Sequence, residues 1–407
     1  MRLNRKGYRI LFSLIWIVYF CSYLGRLNYT AVMGELISNV IDKTQAGWVQ
    51  TCFLIAYAGG QLLNGMLADK VSPRIMVAVG AIGGGLANIL FAFARSFPIM
   101  AILRFADGLF MSTLWPSMVV AMVRYMTAKD KIRCSIDIAS SMSVGTLLSY
   151  AAKAAILKWL NWSWSFMLPG IVLACMGIVW YLAFPRMETY AVLPDESGAD
   201  TAKARAEQLP IGKLIMIPCL LVAVLPVVLH GVIKDGVTAW VPAYLCEVHN
   251  QTPAFSSLLS MLLPLFNLAG AYMAKYVYEK TNHNALTAAS VFFAISFVTL
   301  GIMLAGAQSL LFPTVVCFAL ITSFMMAVNV LLINLLPLQF EQYGRAATVS
   351  GGLNAVAYGG SALASGLIGV ISDRFRWTAT VASWFGMMAI AFAVCFIFRM
   401  AKKTARL

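Results

Sequence analysis

Two basic residues stand where long apolar helices would carry them deep into a membrane. Arg26 comes 17 residues after Arg9, and Lys234 comes 21 residues after Lys213. Arg9 and Lys213 are the last basic residues before their apolar runs. At about 1.5 Å per residue, Arg26 and Lys234 lie about 25–30 Å along their helices from the basic flank. An ionisable group at that depth costs at least about 2.5–3.5 kcal/mol and usually faces a cavity or a partner. Neither residue has a carboxylate three or four positions away on its own helix. If the two helices are matched by repeat symmetry, the cations face each other and repel. A small organic anion between them would relieve that repulsion. The competing reading is two separate structural salt bridges, with Asp235 serving one of them.

Nearby residue types suit such a site. Tyr19, Tyr23 and Arg26 recur at spacings of four and three, on one helix face. Tyrosine hydroxyls orient a polar ligand while their rings close the cavity. The run GGLNAVAYGG places Asn354 and Tyr358 four apart, with glycines suited to close helix packing. Asn329 and Asn334 are further polar groups in an apolar segment. Arg104 and Asp107 are three apart and are expected to pair on one face. Lys153 is expected to snorkel to the outer surface, Asp137 to serve as a capping or interface group, and Glu35 and Glu247 to sit at wet span ends. Pro218, Pro226, Gly231, Gly236 and Pro242 predict a kinked or broken seventh helix.

The elements that carry these residues follow from composition. The chain has 407 residues, 61% hydrophobic and 11% charged, far more apolar than a soluble domain. Apolar runs predict an all-α membrane protein of twelve helices, at 9–34, 45–68, 74–95, 98–124, 132–157, 162–184, 213–246, 253–278, 284–306, 309–338, 346–371 and 377–399. They fall into two six-helix halves around a central cavity: an N-terminal half (1–184), a polar linker (185–212) and a C-terminal half (213–407). Of the 30 basic residues, 21 fall on segments that an inside N-terminus makes cytoplasmic, and five fall on outer loops. Both termini are therefore expected in the cytoplasm, in a multi-pass plasma or inner membrane. The net charge of +14 is read as this topology and not as nucleic-acid binding. The eight cysteines are scattered singly with no metal-ligand spacing. No phosphate-cradling loop or nucleophile triad appears, so no metal, cofactor or enzymatic activity is expected.

Several motifs resemble a known family. GMLADKVSPR, with Gly65, Asp69, Lys70 and Arg74, resembles the loop 2–3 signature of the major facilitator superfamily, with Ser72 and Pro73 in place of its usual glycine and basic residue. Asp69 and its basic neighbours could lock a cytoplasmic helix end in one state and release it in the other. The step from Arg104 to Gly108 resembles the helix 4 signature. Within the superfamily, YLGRLNYTAVM (Tyr23 to Met33), LWP (Leu114 to Pro116) and IKDGVTAWVPAYL (Ile233 to Leu245) resemble the organophosphate:phosphate antiporters, the glycerol-3-phosphate and hexose-phosphate carriers. The resemblance implies that Arg26 and Lys234 bind a phosphoryl group and that Tyr19, Tyr23, Tyr57, Trp115 and Tyr358 line the site.

The departures lower the site's positive charge. Leu27 and Gln61 stand where family members have lysines, Met142 where the glycerol-phosphate carriers have a histidine, and Lys234 where arginine is usual. Lysine lacks the planar two-pronged contact of arginine. A singly charged sugar acid therefore competes with a phosphate ester as the expected substrate, and a proton competes with phosphate as the coupling species. Asp235 and Asp107 are the candidate proton carriers. A membrane receptor for a sugar phosphate, of the kind some relatives represent, would use the same ligand site. A drug exporter fits poorly, because helix 5 lacks the Gly/Pro-rich signature and cationic drugs would favour carboxylates. A monomer is expected.

Overall fold

The computed structural model describes residues 2–192 and 209–404. Residues 193–208 of the polar linker, with Lys203 and Arg205, lie outside the described residues, and nothing is described of the Lys153 side chain. All twelve expected segments are helical. Ten helices among the described residues are long and apolar enough to cross a membrane by length and composition. The other two expected spans, the fifth and the eleventh, also form helix.

The chain starts with a two-residue strand β1 (Arg2–Leu3), then α1 (Arg5–Arg26), α2 (Asn28–Asn39), α3 (Lys43–Ala68), α4 (Pro73–Phe91), α5 (Phe97–Met111), α6 (Leu114–Tyr125), α7 (Ala128–Asp137), α8 (Ala139–Trp159), α9 (Trp164–Glu188) and strand β2 (Ala191–Val192). Then follow α10 (Ile211–Ile215), α11 (Pro218–His249), α12 (Pro253–Ser260), α13 (Leu262–Lys280), α14 (Ala285–Leu304), α15 (Leu311–Asn329), a π-helical stretch Val330–Leu335, a 3-10 stretch Leu336–Tyr343 and α16 (Ala346–Thr404). α16 is two helices joined at Arg376, whose left-handed backbone (φ 66°, ψ 166°) breaks the run. Contacts gather the chain into two compact units. One comprises Met1–Leu209 and Pro337–Ala355; the other comprises Pro210–Leu336 and Val356–Leu407.

Helix ends are set by local chemistry. Asn4 caps α1 by accepting from the Gly7 N–H at 2.9 Å. Asp42 and Gln45 form a reciprocal capping box on α3. Ser72 caps α4 ahead of a proline in its first turn. In the first unit β1 pairs antiparallel with β2, Arg2 opposite Val192 and Leu3 opposite Ala191. The N-terminus and the start of the linker are thereby held together.

Several expected spans are interrupted helices. The first breaks at Leu27, the fourth at Ser112–Thr113, the fifth at Ile138 and the eighth at Met261. The seventh, predicted to be kinked or broken, is the short α10, an interruption at Met216–Ile217, and then a helix continuous from Pro218 to His249 with Pro226 and Pro242 inside it. Pro218 occupies the first turn, where its missing N–H costs nothing. Gly231 permits close packing there: a Cβ would lie 2.2 Å from the Ala357 carbonyl oxygen of α16.

Candidate anion-binding site

In the first unit, α1 stops at Arg26. Its negative dipole end favours a cation in the last turn. The break that follows is held by buried polar side chains. Asn28 Nδ2 donates to Asn88 Oδ1 at 2.6 Å, and Asn88 Nδ2 donates to Asp107 Oδ1 at 3.0 Å. Arg104 Nη1 meets Asp107 Oδ2 at 2.6 Å, and Arg104 Nη2 donates to Gln50 Oε1 at 3.2 Å. The Arg104 and Asp107 side chains keep only 1% and 2% of their exposure. The expected pair forms, sealed and hydrogen-bonded on several sides.

Arg26 is half-buried among aromatic faces. Its guanidinium carbon lies 4.2 Å from the Tyr57 ring centroid, 5.7 Å from Tyr23 and 6.0 Å from Phe53. Tyr19 packs on Tyr23 at 5.5 Å and on Trp115 at 5.4 Å. All four predicted site aromatics of this unit are thus buried: Tyr23 and Tyr57 face Arg26, Tyr19 lies one ring further and Trp115 two. A cation over an aromatic face is stabilised by about 0.5–2 kcal/mol, most when desolvated. Phe53, missed in sequence, stacks on Tyr57 at 5.7 Å and lies 4.2 Å from the Arg104 guanidinium. Its place four residues before Tyr57, on the same helix face, was the available signal. Gln61, one turn beyond Tyr57, is fully buried, and neither amide atom has a partner among the described residues. The Trp115 indole N–H is likewise unpartnered.

In the second unit, Lys234 Nζ lies 3.0 Å from Asp235 Oδ1; the side chains keep 16% and 35% of their exposure. Asp235 Oδ2 accepts from the Ser361 hydroxyl at 2.6 Å. The sequence reading missed Ser361, although Asn354, Tyr358 and Ser361 continue one helical stripe at spacings of four and three. Asn354 is buried and falls in the first unit; Tyr358, half-buried, falls in the second.

The two gating candidates separate. The Asp69 carboxylate accepts from the Ala347 N–H at 3.0 Å, the Thr348 N–H at 2.9 Å and the Thr348 hydroxyl at 2.5 Å. It caps the first turn of α16, where backbone donors lack helix partners. Gly65 lets α3 approach: a Cβ there would lie 2.7 Å from the Ala347 carbonyl oxygen. Burial holds the Asp69 carboxyl above its usual range, against the pull of the Thr348 and Ala347 hydrogen bonds and the Arg345 charge. Arg74 is elsewhere engaged. It donates to the Tyr181 carbonyl at 3.1 Å and covers the Tyr181 ring at 4.1 Å.

A many-helix, apolar chain with cations buried among aromatic rings defines a multi-pass membrane transport protein. The family comparison is specific: residues 15–358 match the Major Facilitator Superfamily model, and the chain belongs to that superfamily. It is a transporter and not an enzyme. The glycerol-3-phosphate transporter of Bacillus subtilis (strain 168) is 24% identical, over 89% of this chain and 86% of that protein. The membrane sensor protein UhpC of Salmonella typhimurium is 21% identical, over 93% and 87%. Among solved structures, the human organic anion transporter MFSD10 superposes with a TM-score of 0.75 at 14% identity, over 95% of this chain and 99% of that one. That likeness shows the fold.

Proposed function

We propose that the chain is a secondary active transporter of a small organic anion, a phosphate ester or a sugar acid, and that Arg26 and Lys234 both bind the anion. Residues 1–184 and 213–407 are the halves that rock around it, with both termini in the cytoplasm and the protein in the plasma or inner membrane. The observation that carries the reading is Arg26 itself. It is a half-buried guanidinium at a helix end, lined by Tyr23, Phe53 and Tyr57. Tyr19 and Trp115 extend that lining, and the unpartnered Gln61 amide and Trp115 N–H are donors for polar groups of a substrate. The relationship to a glycerol-3-phosphate transporter supports an anionic substrate. The leucine after Arg26, the neutral Gln61 and the lysine at 234 favour a singly charged sugar acid over a dianionic phosphate ester.

Uptake of labelled gluconate and glycerol 3-phosphate by purified protein in liposomes tests this. Arg26→Ala and Lys234→Ala are expected to abolish uptake while the protein stays monodisperse. Full uptake by both variants refutes the assignment. The relationship to the sensor UhpC favours a second reading, ligand sensing. Tight binding by the wild type without flux would select it.

A further inference from the structure

The carboxylate beside Lys234 has two hydrogen-bonding arrangements open to it. Ser361 Oγ lies 2.6 Å from Asp235 Oδ2, 3.0 Å from the Ala357 carbonyl oxygen and 3.1 Å from the Gly231 carbonyl oxygen. A hydroxyl has one proton to give and can also accept. When Asp235 is ionised, Ser361 donates to it. When Asp235 is protonated, the carboxyl donates to the Ser361 oxygen and the hydroxyl turns to a backbone carbonyl. Both protonation states leave the carboxyl and the hydroxyl partnered.

The pair is accessible, at 16% and 35% exposure. The other titratable group facing Asp235 from its own helix is His230, buried one turn before Lys234. Neither ring nitrogen of His230 makes a hydrogen bond of ordinary geometry among the described residues. From α16 comes the Ser361 hydroxyl. α12 and α15, which also pack on α11, carry no acidic or basic residue in their sequences.

An anion arriving at Lys234 therefore meets a carboxylate already held there. Two negative groups would share one ammonium, and their repulsion in a partly dry site is removed by one proton. We propose that Asp235 is the proton acceptor that couples transport to protons: its protonation frees Lys234 for the anion, and one proton travels with each singly charged substrate. This rests on the reading that Lys234 binds the anion. The proton passes from water on the loading side to an Asp235 oxygen. It returns to water on the release side when the anion leaves and Lys234 recaptures the carboxylate. A monoanion with one proton carries no net charge, so accumulation follows the pH gradient and needs no phosphate counter-flow.

Proton uptake on binding is the test, with full-length protein in weakly buffered detergent, a pH-indicator dye, and gluconate and glycerol 3-phosphate as probes. The wild type is expected to take up about one proton per gluconate bound. Asp235→Asn is expected to bind with no proton uptake, Asp235→Glu to restore it, and His230→Gln to behave as the wild type. Wild-type binding without proton uptake overturns the coupling and leaves the anion site standing. So does uptake that persists in Asp235→Asn or disappears in His230→Gln. Failure of the wild type to bind either probe overturns both. If Asp235→Asn does not fold, Ser361→Ala decides. It is expected to shift the midpoint of the pH dependence of binding, and an unchanged profile contradicts the proposal.

Discussion

Two of the ion pairs among the described residues, Arg104–Asp107 and Lys234–Asp235, stand well inside predicted spans, and they are built oppositely. Arg104 and Asp107 are sealed, at 1% and 2% exposure, and each has a further polar partner, Gln50 for the arginine and Asn88 for the aspartate. Lys234 and Asp235 keep 16% and 35% of their exposure, and a hydroxyl with alternative acceptors closes the arrangement. The first pair fixes the break in helix 1 that ends at Arg26. In the second, the hydroxyl that meets the carboxylate also lies within reach of two backbone carbonyls. Charge inside a membrane protein is thus not one signal: the two pairs differ in enclosure and in the number of fixed partners.

The largest effect of this contrast belongs to the sealed pair. Arg104→Leu leaves Asp107 buried without its counter-ion, which costs about 3–5 kcal/mol. Loss of a monodisperse peak, or a steep fall in Tm, is the expected result. Lys234→Gln, at the accessible pair, is expected to stay folded. Equal destabilisation by the two variants contradicts the distinction.

The aromatic lining of Arg26 comes next. Tyr57→Leu removes the nearest ring face and is expected to weaken anion binding by about 0.5–2 kcal/mol, or about 2- to 30-fold in Kd. Titration of the purified variant measures it, and an unchanged Kd removes Tyr57 from the site.

The smallest effect is at Asp69. Its carboxyl binds a proton more tightly in the folded protein than in water because burial outweighs its hydrogen bonds. That contribution to stability is fully present below the ordinary aspartate range and is lost as pH rises through the higher folded value. Wild-type Tm is therefore expected to gain on moving from neutral to mildly acidic pH relative to Asp69→Asn. Parallel pH profiles contradict this.

The helices were legible because a span needs about 20 apolar residues, and this chain separates such runs with charge and turn residues. The interruptions were not. Ile138 carries no proline or glycine signal, and at Leu27, two residues after Gly25, the break also involves Asn28 reaching Asn88, 60 residues away. In the seventh helix the glycine at 231 serves packing against Ala357, a contact 126 positions away that no local pattern announces. Arg26 and its tyrosines were readable from helical spacing. The Lys234–Asp235 contact was harder to read, because adjacent residues on a helix do not face each other; only the reach of the long lysine arm brings them to 3.0 Å. Arg74 matched a motif by position, but its partner Tyr181 lies 107 residues away, where no local pattern points.

Liposome uptake of labelled gluconate and glycerol 3-phosphate, run side by side for the wild type, Arg26→Ala and Lys234→Ala, bears most directly on the paired-cation reading. Transport of at least one probe by the wild type and by neither variant is the predicted result. Wild-type rates in both variants, each still folded, would contradict it.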